Sequence, residues 1–273
     1  MNITFKHIGN YGNVMFQYAY MRLMAEKHNY VPGLPVWDLG SWHTLDISFF
    51  NEYLNLQHIH LDGEKYIKLT EYTNSPLYHL DSKFYGLRNI QLNGYFQNSD
   101  HYKDVTKVKS FFNIPDIQPN EDDLLLSLRL GHDFNQSGHN SYITDPESLV
   151  KVIEGIKFKQ LKIITDRYVP QYIDYFAHFS PDVVCRNSLA PNDDFLDIMS
   201  YKKVVIPNST FAWWAAYLGY AKTVWFSDSY GLCGYDKEPI IKESNLDKLN
   251  LKTIPGKETI NYEMKFFNIK TLD

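Results

Sequence analysis

The chain is poor in cysteine and has no excess of basic charge, and each shortage argues against a class of protein. Its two cysteines, Cys185 and Cys233, are too few for a disulfide framework and form no CxxC metal pair. Twenty-seven Lys and Arg against 32 Asp and Glu give a net charge of −5, so no cationic surface is available to grip a nucleic-acid backbone. We therefore expect a reduced, cytoplasmic protein that does not bind nucleic acid.

Long apolar runs are also lacking. The best candidate, residues 211–226, is interrupted by Gly219 and Lys222, so no stretch approaches the roughly 18 uncharged apolar residues of a membrane span. The N-terminus shows neither the basic region nor the apolar run of a signal peptide. These features predict a soluble chain that is at most peripheral to a membrane.

The composition is otherwise that of a globular protein. Hydrophobic residues make up 44% and charged residues 22% of the 273 residues, which excludes a disordered or fibrous chain and suggests one large domain or two modest ones. Aromatic residues reach 16%; some could stack on sugar rings, although core packing is the simpler explanation. Residues 113–123 contain two prolines and three consecutive acids, so we predict a linker between domains 1–115 and 120–273.

Strands alternate with helices in the second half, which is typical of an α/β fold with a doubly wound parallel sheet. Apolar runs predict strands, and Asp145-Pro146-Glu147 is typical of a helix start. The predicted strands are 124–128, 161–165, 183–185, 204–207 and 223–226, and the later helices are 171–179, 192–201 and 211–218. In the first half we predict a strand at Ile3–Phe5 and a helix at Val14–His28. For residues 31–93 we predict no topology.

Polar residues follow several predicted strands, at the sheet edge where ligands of such folds bind. Arg129 and Asp166 each follow a strand, and Asn208, Ser209, Thr210 and Phe211 lead into a helix. An arginine fork and the free N–H groups of a helix start suit a phosphate. Equally, Ser209 and Thr210 could be plain helix caps and Arg129 an ordinary ion-pair partner.

The loop Gly9–Asn13 follows the first predicted strand and precedes a helix. Its two glycines allow a ligand to approach the backbone closely, so Gly12 and Asn13 are candidate contacts. The third glycine of a dinucleotide motif is missing, and the pattern is not a P-loop. No metal site is indicated elsewhere: His58 and His60 fit alternate faces of a strand. The pairs Asp193-Asp194 and Asp228-Ser229 are interpreted as solvated turn or cap residues.

Four blocks, in order, resemble a known family. They are Gly9-Asn-Tyr-Gly-Asn-Val-Met-Phe-Gln-Tyr-Ala19, Gly94-Tyr-Phe-Gln97 followed by His101-Tyr102, the stretch 194–203, and Pro207-Asn-Ser-Thr-Phe-Ala-Trp-Trp-Ala-Ala-Tyr-Leu218. Together they are similar to glycosyltransferase family 11, the α-1,2-fucosyltransferases. The resemblance implies an inverting, metal-independent transfer of fucose from GDP-fucose to a hydroxyl of an oligosaccharide, with no cofactor beyond the nucleotide sugar. It also implies a GT-B-like fold of two facing Rossmann-like domains, with the acceptor on 1–115 and the nucleotide sugar on 120–273.

The resemblance assigns roles to single residues. The family binds the donor diphosphate with an arginine of a His-x-Arg-Arg-Gly-Asp motif, and Arg129 stands in its place. Ser127 replaces the histidine, Leu130 replaces the second arginine, and the acid is displaced to Asp133 or replaced by His132.

The remaining roles are less specific. Asp166, Gly12, Asn13 and residues 208–211 are the other donor-binding candidates, and Tyr95 and Gln97 are acceptor-binding candidates. The base that deprotonates the acceptor is not identified; Asp38 and Asp133 are candidates. Trp213 and Trp214 are neighbours on a helix, so at least one is expected in the core.

Three alternatives stay open. Ser127 and Leu130 favour a related transferase with another nucleotide-sugar donor. A non-catalytic glycan-binding protein is a second possibility, although it would have no need of Arg129. A methyltransferase is the weakest, because Asp38, the nearest acid for its second strand, lies in an irregular stretch.

Overall fold

The computed structural model describes residues 1–35, 47–54, 56, 66–70, 89–97, 99–130, 145–186, 190–207, 209–227 and 250–254. The chain divides into two compact units, Met1–Pro115 and Asp116–Asp273. The division falls inside the segment 113–123, which the sequence predicts as a linker. Each unit is a mixed α/β structure built on a parallel sheet.

The first unit carries a four-stranded sheet in the order β2-β1-β4-β3. All its pairs are parallel, and Ile3 of β1 lies opposite Ile90 of β4. The strands are β1 (Asn2–Phe5), β2 (Val31–Pro32), β3 (Tyr66–Thr70) and β4 (Asn89–Asn93), and the helices are α1 (Tyr11–His28), α2 (Ile47–Tyr53), α3 (Val105–Lys109) and a 3₁₀ helix (Ser99–Tyr102). The predicted strand in β1 and the helix in α1 are confirmed, and β2, β3 and β4 organise the part of the chain where no topology was predicted.

Helix α1 is the main core element of the first unit. It is apolar on most faces, as is typical of a helix that is buried all round, and Phe16, Tyr18 and Met21 are fully buried. It begins at Tyr11, three residues earlier than predicted, because Asn10 has the extended backbone of an N-cap. Gly12 and Asn13 therefore lie in the first turn of the helix and not in a preceding loop.

The second unit carries a six-stranded sheet in the order β10-β9-β8-β5-β6-β7, with every pair parallel. The strands are β5 (Leu124–Leu128), β6 (Leu161–Thr165), β7 (Asp182–Cys185), β8 (Lys203–Ile206), β9 (Thr223–Ser227) and β10 (Asn250–Ile254), and the helices are α4 (Pro146–Glu154), α5 (Pro170–Ile173), α6 (Pro191–Ser200) and α7 (Thr210–Leu218). The predicted strands are confirmed to within one residue at either end. The predicted helix 171–179 is instead the short α5 followed by a 3₁₀ helix, Asp174–Phe179.

Local sequence explains these elements. The five residues of β5 are all buried, as expected for a central strand covered on both faces. Helix α4 begins where predicted, because the Asp145 carboxylate accepts a hydrogen bond of 3.0 Å from Ser148 N and proline occupies the first turn. Within the described ranges, no helix has the length and apolarity needed to cross a membrane.

The strand order contains one reversal that matters for ligand binding. The chain runs from β5 outward to β6 and β7, and then returns to β8 on the other side of β5. The carboxyl ends of β5 and β8 therefore flank the point at which the sheet changes winding direction. Such switch points are where open α/β sheets bind their ligands.

Candidate functional site

Arg129 lies at this switch point. It is the first residue after β5, and the register pairs Leu125 with Val204 and Leu126 with Val205. Continued by two residues, this register places Pro207, after β8, level with the end of β5. A narrow crevice at this edge is lined by three polar residues, Ser127, Arg129 and Tyr172, and otherwise by apolar residues that include Pro207. Arg129 and Pro207 thus line one crevice, and the convergence of Arg129 with residues 208–210 stays a prediction.

Asp166 holds the backbone next to Arg129. Its Oδ1 accepts a hydrogen bond of 2.6 Å from Leu130 N. The two strands that precede these residues are paired in register, Leu128 with Thr165. A carboxylate that accepts from the backbone fixes the course of the chain after β5, so Asp166 positions the segment that carries Arg129.

The start of α7 faces the same edge. Ser209 is buried, and its Oγ accepts from Ala212 N at 3.4 Å, so it is the N-cap of the helix. Phe211 packs edge-on against Phe195 of α6, with ring centroids 5.1 Å apart. Thr210 is the first helical residue, and no acid stands in the first turn to oppose an anion. The interpretation of Ser209 as a helix cap is thus confirmed, and its contact with a phosphate stays a prediction.

The differences from the family motif have a structural basis. Leu130, in the place of the second arginine, is 2% exposed and belongs to the main hydrophobic cluster of the unit. Ser127, in the place of the histidine, is buried within β5. Burial raises the pKa of Tyr172, and the negative charge of Asp145 raises it further, so the Tyr172 hydroxyl stays neutral. The residues that line the crevice therefore include a cation, a neutral phenol, a serine and several apolar side chains.

A second cluster of motif residues forms in the first unit, and its central residue, Gln17, is one that the sequence analysis did not single out. Gln17 is fully buried. Its Nε2 donates to the carbonyl oxygens of Ile8, at 3.1 Å, and Gly94, at 3.0 Å, and its Oε1 accepts from Ile8 N at 3.4 Å. Three backbone groups are thus joined by one amide. The signal available in the sequence was its place inside the Phe-Gln-Tyr motif.

Two other predicted residues of this unit, Asn13 and Gln97, contact each other. Gln97 is buried and donates from Nε2 to Asn13 Oδ1 at 2.8 Å. This hydrogen bond fixes the side chain of Asn13. The N-cap of α1 is Asn10, so Asn13 does not cap the helix. Gly9 has a φ of +80°, and a Cβ at this position would lie 2.1 Å from Asn13 Nδ2. Tyr95 is exposed.

Aromatic packing fixes the second motif block against α1. The rings of Tyr20 and Phe96 are stacked, with centroids 4.4 Å apart and an interplanar angle of 4°. The Tyr102 hydroxyl donates to the carbonyl oxygen of Phe96 at 2.5 Å and lies 3.1 Å from that of Phe16. Phe96 has a φ of +53°, a left-handed conformation that costs energy for a bulky side chain. These contacts hold it there.

Asp194 does not fit the interpretation of a solvated cap. Its carboxylate lies 2.5 Å from Arg186, which also contacts Asp197 at 2.8 Å, and Lys162 contacts Asp197 at 2.9 Å. Burial raises the pKa of Asp194, and the Arg186 charge offsets only part of this increase. For Arg186, hydrogen bonds to Asp194 and Asp197 outweigh the opposing effect of burial and raise its pKa. Asp193 is mostly exposed, as expected.

Several predicted residues lie outside the described residues. They are Asp38, Asp133, Asn208, the pair His58 and His60, and Asp228-Ser229. Trp213 and Trp214 are described, and both are buried. In the part of the chain that the structure describes, no group of three or more His, Cys, Asp or Glu side chains is placed to hold a metal ion.

Comparison with known proteins found no protein-family model and no curated protein sequence that matches this chain. The likeness to family 11 glycosyltransferases therefore rests on the four sequence blocks. The described structure adds where those blocks lie: two of them meet around Gln17, and the block that begins at Pro207 lies beside Arg129.

Proposed function

We propose that this chain is an inverting glycosyltransferase that moves fucose from GDP-fucose to a hydroxyl of a glycan acceptor. The observation that carries the proposal is the position of Arg129 at the switch point of the second sheet, beside the segment that leads into α7. The fold of two facing, Rossmann-like domains that the family implies is part of the same proposal.

The proposed chemistry follows from charge. As the bond between C1 of the sugar and the diphosphate breaks, negative charge develops on GDP. A guanidinium pairs two phosphate oxygens at once, and the N–H groups at a helix start favour the same charge. Stabilisation of developing charge by preorganised groups is usually the largest single contribution to lowering the barrier of an enzymatic reaction. Arg129 and the start of α7 are assigned this role, and no metal is required in it.

Asp166 supports this role by fixing the backbone next to Arg129. Its bond to Leu130 N fixes the chain one residue beyond Arg129, so the guanidinium starts from an ordered backbone. The acceptor hydroxyl attacks C1 from the face opposite GDP, which inverts the anomeric centre. Its proton goes to a carboxylate; Asp38 and Asp133 remain the candidates for that base.

For the donor sugar, one observation favours a second candidate. A second arginine of the family motif would stand at position 130, where this chain has a buried leucine. With one cation fewer on the diphosphate, another GDP-sugar or another nucleotide sugar is the second candidate. A panel of nucleotide sugars, with GDP-fucose first, separates these two by the rate of nucleotide release.

The first test is calorimetric titration with GDP, without added metal, of the wild type and Arg129→Ala. Loss of charge-assisted hydrogen bonds to phosphate weakens binding by about 1.5–3 kcal/mol, which is roughly 10- to 150-fold. Lys151→Ala is the matched control, because it removes a cation from an exposed position on α4 of the same unit. Equal GDP affinity of Arg129→Ala and the wild type would refute the role of Arg129, and absence of GDP binding by the wild type would refute the proposal.

A further inference from the structure

Tyr168 is an exposed aromatic residue at the edge of the sheet that carries Arg129. It follows β6 by three residues and is 52% exposed, whereas the next residue, Val169, is 2% exposed. It belongs to the short segment between β6 and α5, and α5 supplies Tyr172 to the wall of the crevice. A large aromatic ring is therefore presented to solvent in the segment that leads into α5, the helix that supplies Tyr172 to the crevice.

The backbone on both sides of Tyr168 is fixed. Before it, the Thr165 hydroxyl bonds both the carbonyl oxygen of Arg167, at 2.8 Å, and its N–H, at 3.3 Å. Asp166 is bonded to Leu130 N. After it, the carbonyl oxygen of Val169 accepts hydrogen bonds from the N–H groups of Tyr172 and Ile173 in α5, each at 3.0 Å. A ring on such a backbone loses little freedom when a ligand packs against it, because the chain is already ordered.

The order of the strands places Tyr168 near Arg129, because β5 and β6 are neighbours. Adjacent strands lie about 4.8 Å apart, so the residues after β6 are one strand spacing from Arg129. From Asp166 to Tyr168 the chain can advance at most about 7 Å. A nucleoside diphosphate with its diphosphate at Arg129 and its nucleoside directed towards β6 would have its base near Tyr168.

We propose that the ring of Tyr168 is the surface on which the base of the bound nucleoside diphosphate stacks. The inference rests on the proposed function, since it takes the nucleotide to be bound through Arg129. Base-on-aromatic stacking needs an exposed ring face and tolerates different bases. Tyr168 would then contribute to the affinity for the nucleoside part of the donor, while Arg129 contributes to that for the diphosphate.

The test compares GDP with inorganic pyrophosphate, which has no base. Tyr168→Ala should weaken GDP binding about 5- to 150-fold, the effect of losing one stacked base, and should leave pyrophosphate binding unchanged. Tyr168→Phe keeps the ring and should bind GDP within about twofold of the wild type. Tyr220→Ala is the matched control, because Tyr220 is also exposed and stands between the end of α7 and the start of β9, at the opposite edge of the same sheet.

Each outcome is informative. If the wild type binds GDP and Tyr168→Ala binds it equally well, stacking is refuted while the proposed function stands. Weaker binding of both GDP and pyrophosphate by Tyr168→Ala would also refute stacking, because the side chain would then act through the phosphate site. A wild type that binds pyrophosphate but not GDP, or neither, overturns the proposed function and the stacking together. Thermal unfolding of each variant checks that the fold is intact.

Discussion

Gln17 offers a direct measure of how strongly the two motif blocks of the first unit are joined. The substitution Gln17→Met keeps the length and approximate volume of the side chain but removes its amide. Because Gln17 is fully buried, the substitution leaves three backbone groups without this partner: the N–H and carbonyl of Ile8 and the carbonyl of Gly94. Packing changes little in such a substitution, so the hydrogen bonds dominate the result.

The expected loss of stability follows from those bonds. A neutral hydrogen bond contributes about 0.5–1.5 kcal/mol, so three give roughly 1.5–4.5 kcal/mol. Ile8 and Gly94 are only half-buried, and water can partly replace the lost partner. The longest of the three bonds, from Ile8 N, is 3.4 Å and contributes least. We therefore expect the free energy of unfolding of this unit to fall by about 2–3 kcal/mol.

The assay is urea unfolding of the full chain, combined with hydrogen exchange of peptides from the first unit, because a chain of two units can unfold in more than one step. Lys27→Met is the matched control: it places the same side chain at an exposed position of the same helix and should change stability by less than about 0.5 kcal/mol. If Gln17→Met unfolds at the same urea concentration as Lys27→Met, with equal protection of the Ile8 amide, the amide of Gln17 does not hold the blocks together.

Two further predictions concern the second unit. Leu130→Arg, which supplies the second arginine of the family motif, should destabilise the protein by more than about 3 kcal/mol because it buries an unpaired charge in the core; Leu130→Met should cost less than about 1.5 kcal/mol, and equal melting temperatures of the two would contradict the core assignment. Arg186→Met should cost about 2–4 kcal/mol at neutral pH, since it removes the cation beside the partly buried Asp194 and leaves Asp197 with Lys162 alone. Burial raises the pKa of Asp194, so as the pH falls through it that carboxylate takes up a proton in the folded state and the stability gap to the wild type should narrow; a constant gap between neutral and acid pH would contradict the assigned ion pair.

Five of the six strands of the second sheet were predictable because they are short apolar runs bounded by turn residues; β10, which has the sequence Asn-Leu-Lys-Thr-Ile, was not predicted. Leu124–Leu128 is continuous leucine and serine, a pattern that fits a buried parallel strand and little else. The ends of elements were less predictable where backbone conformation decides them. Helix α1 includes Gly12, a residue that the sequence analysis placed in a loop, because the extended Asn10 starts the helix earlier. The helix after β6 tightens to a 3₁₀ form that has no distinct sequence signal.

The first sheet was predicted less well, although β4, Asn-Ile-Gln-Leu-Asn, alternates polar and buried apolar residues, a pattern that the sequence analysis did not use. Strand β3 has the sequence Tyr-Ile-Lys-Leu-Thr and lies in a stretch rich in histidine and tyrosine. The long-range contacts of Gln17 were also beyond reach, since they join residues 77 positions apart and depend on which strands are neighbours. Its amide is a polar group in a helix interior, which on composition alone does not differ from any other glutamine.

One rule explains why residues so far apart in the sequence form each candidate site. In a parallel sheet, the carboxyl ends of neighbouring strands meet at one edge. In the first unit, β1 and β4 are neighbours, and the segments that follow them, one ending at Asn13 and one at Gln97, are joined by a side-chain hydrogen bond. In the second unit, β5 has β6 on one side and β8 on the other, and Arg129 lies between Asp166 and the segment leading to Ser209. The number of residues between the motifs is therefore set by the helices and loops that return the chain to the start of the next strand. The site itself does not require any particular number.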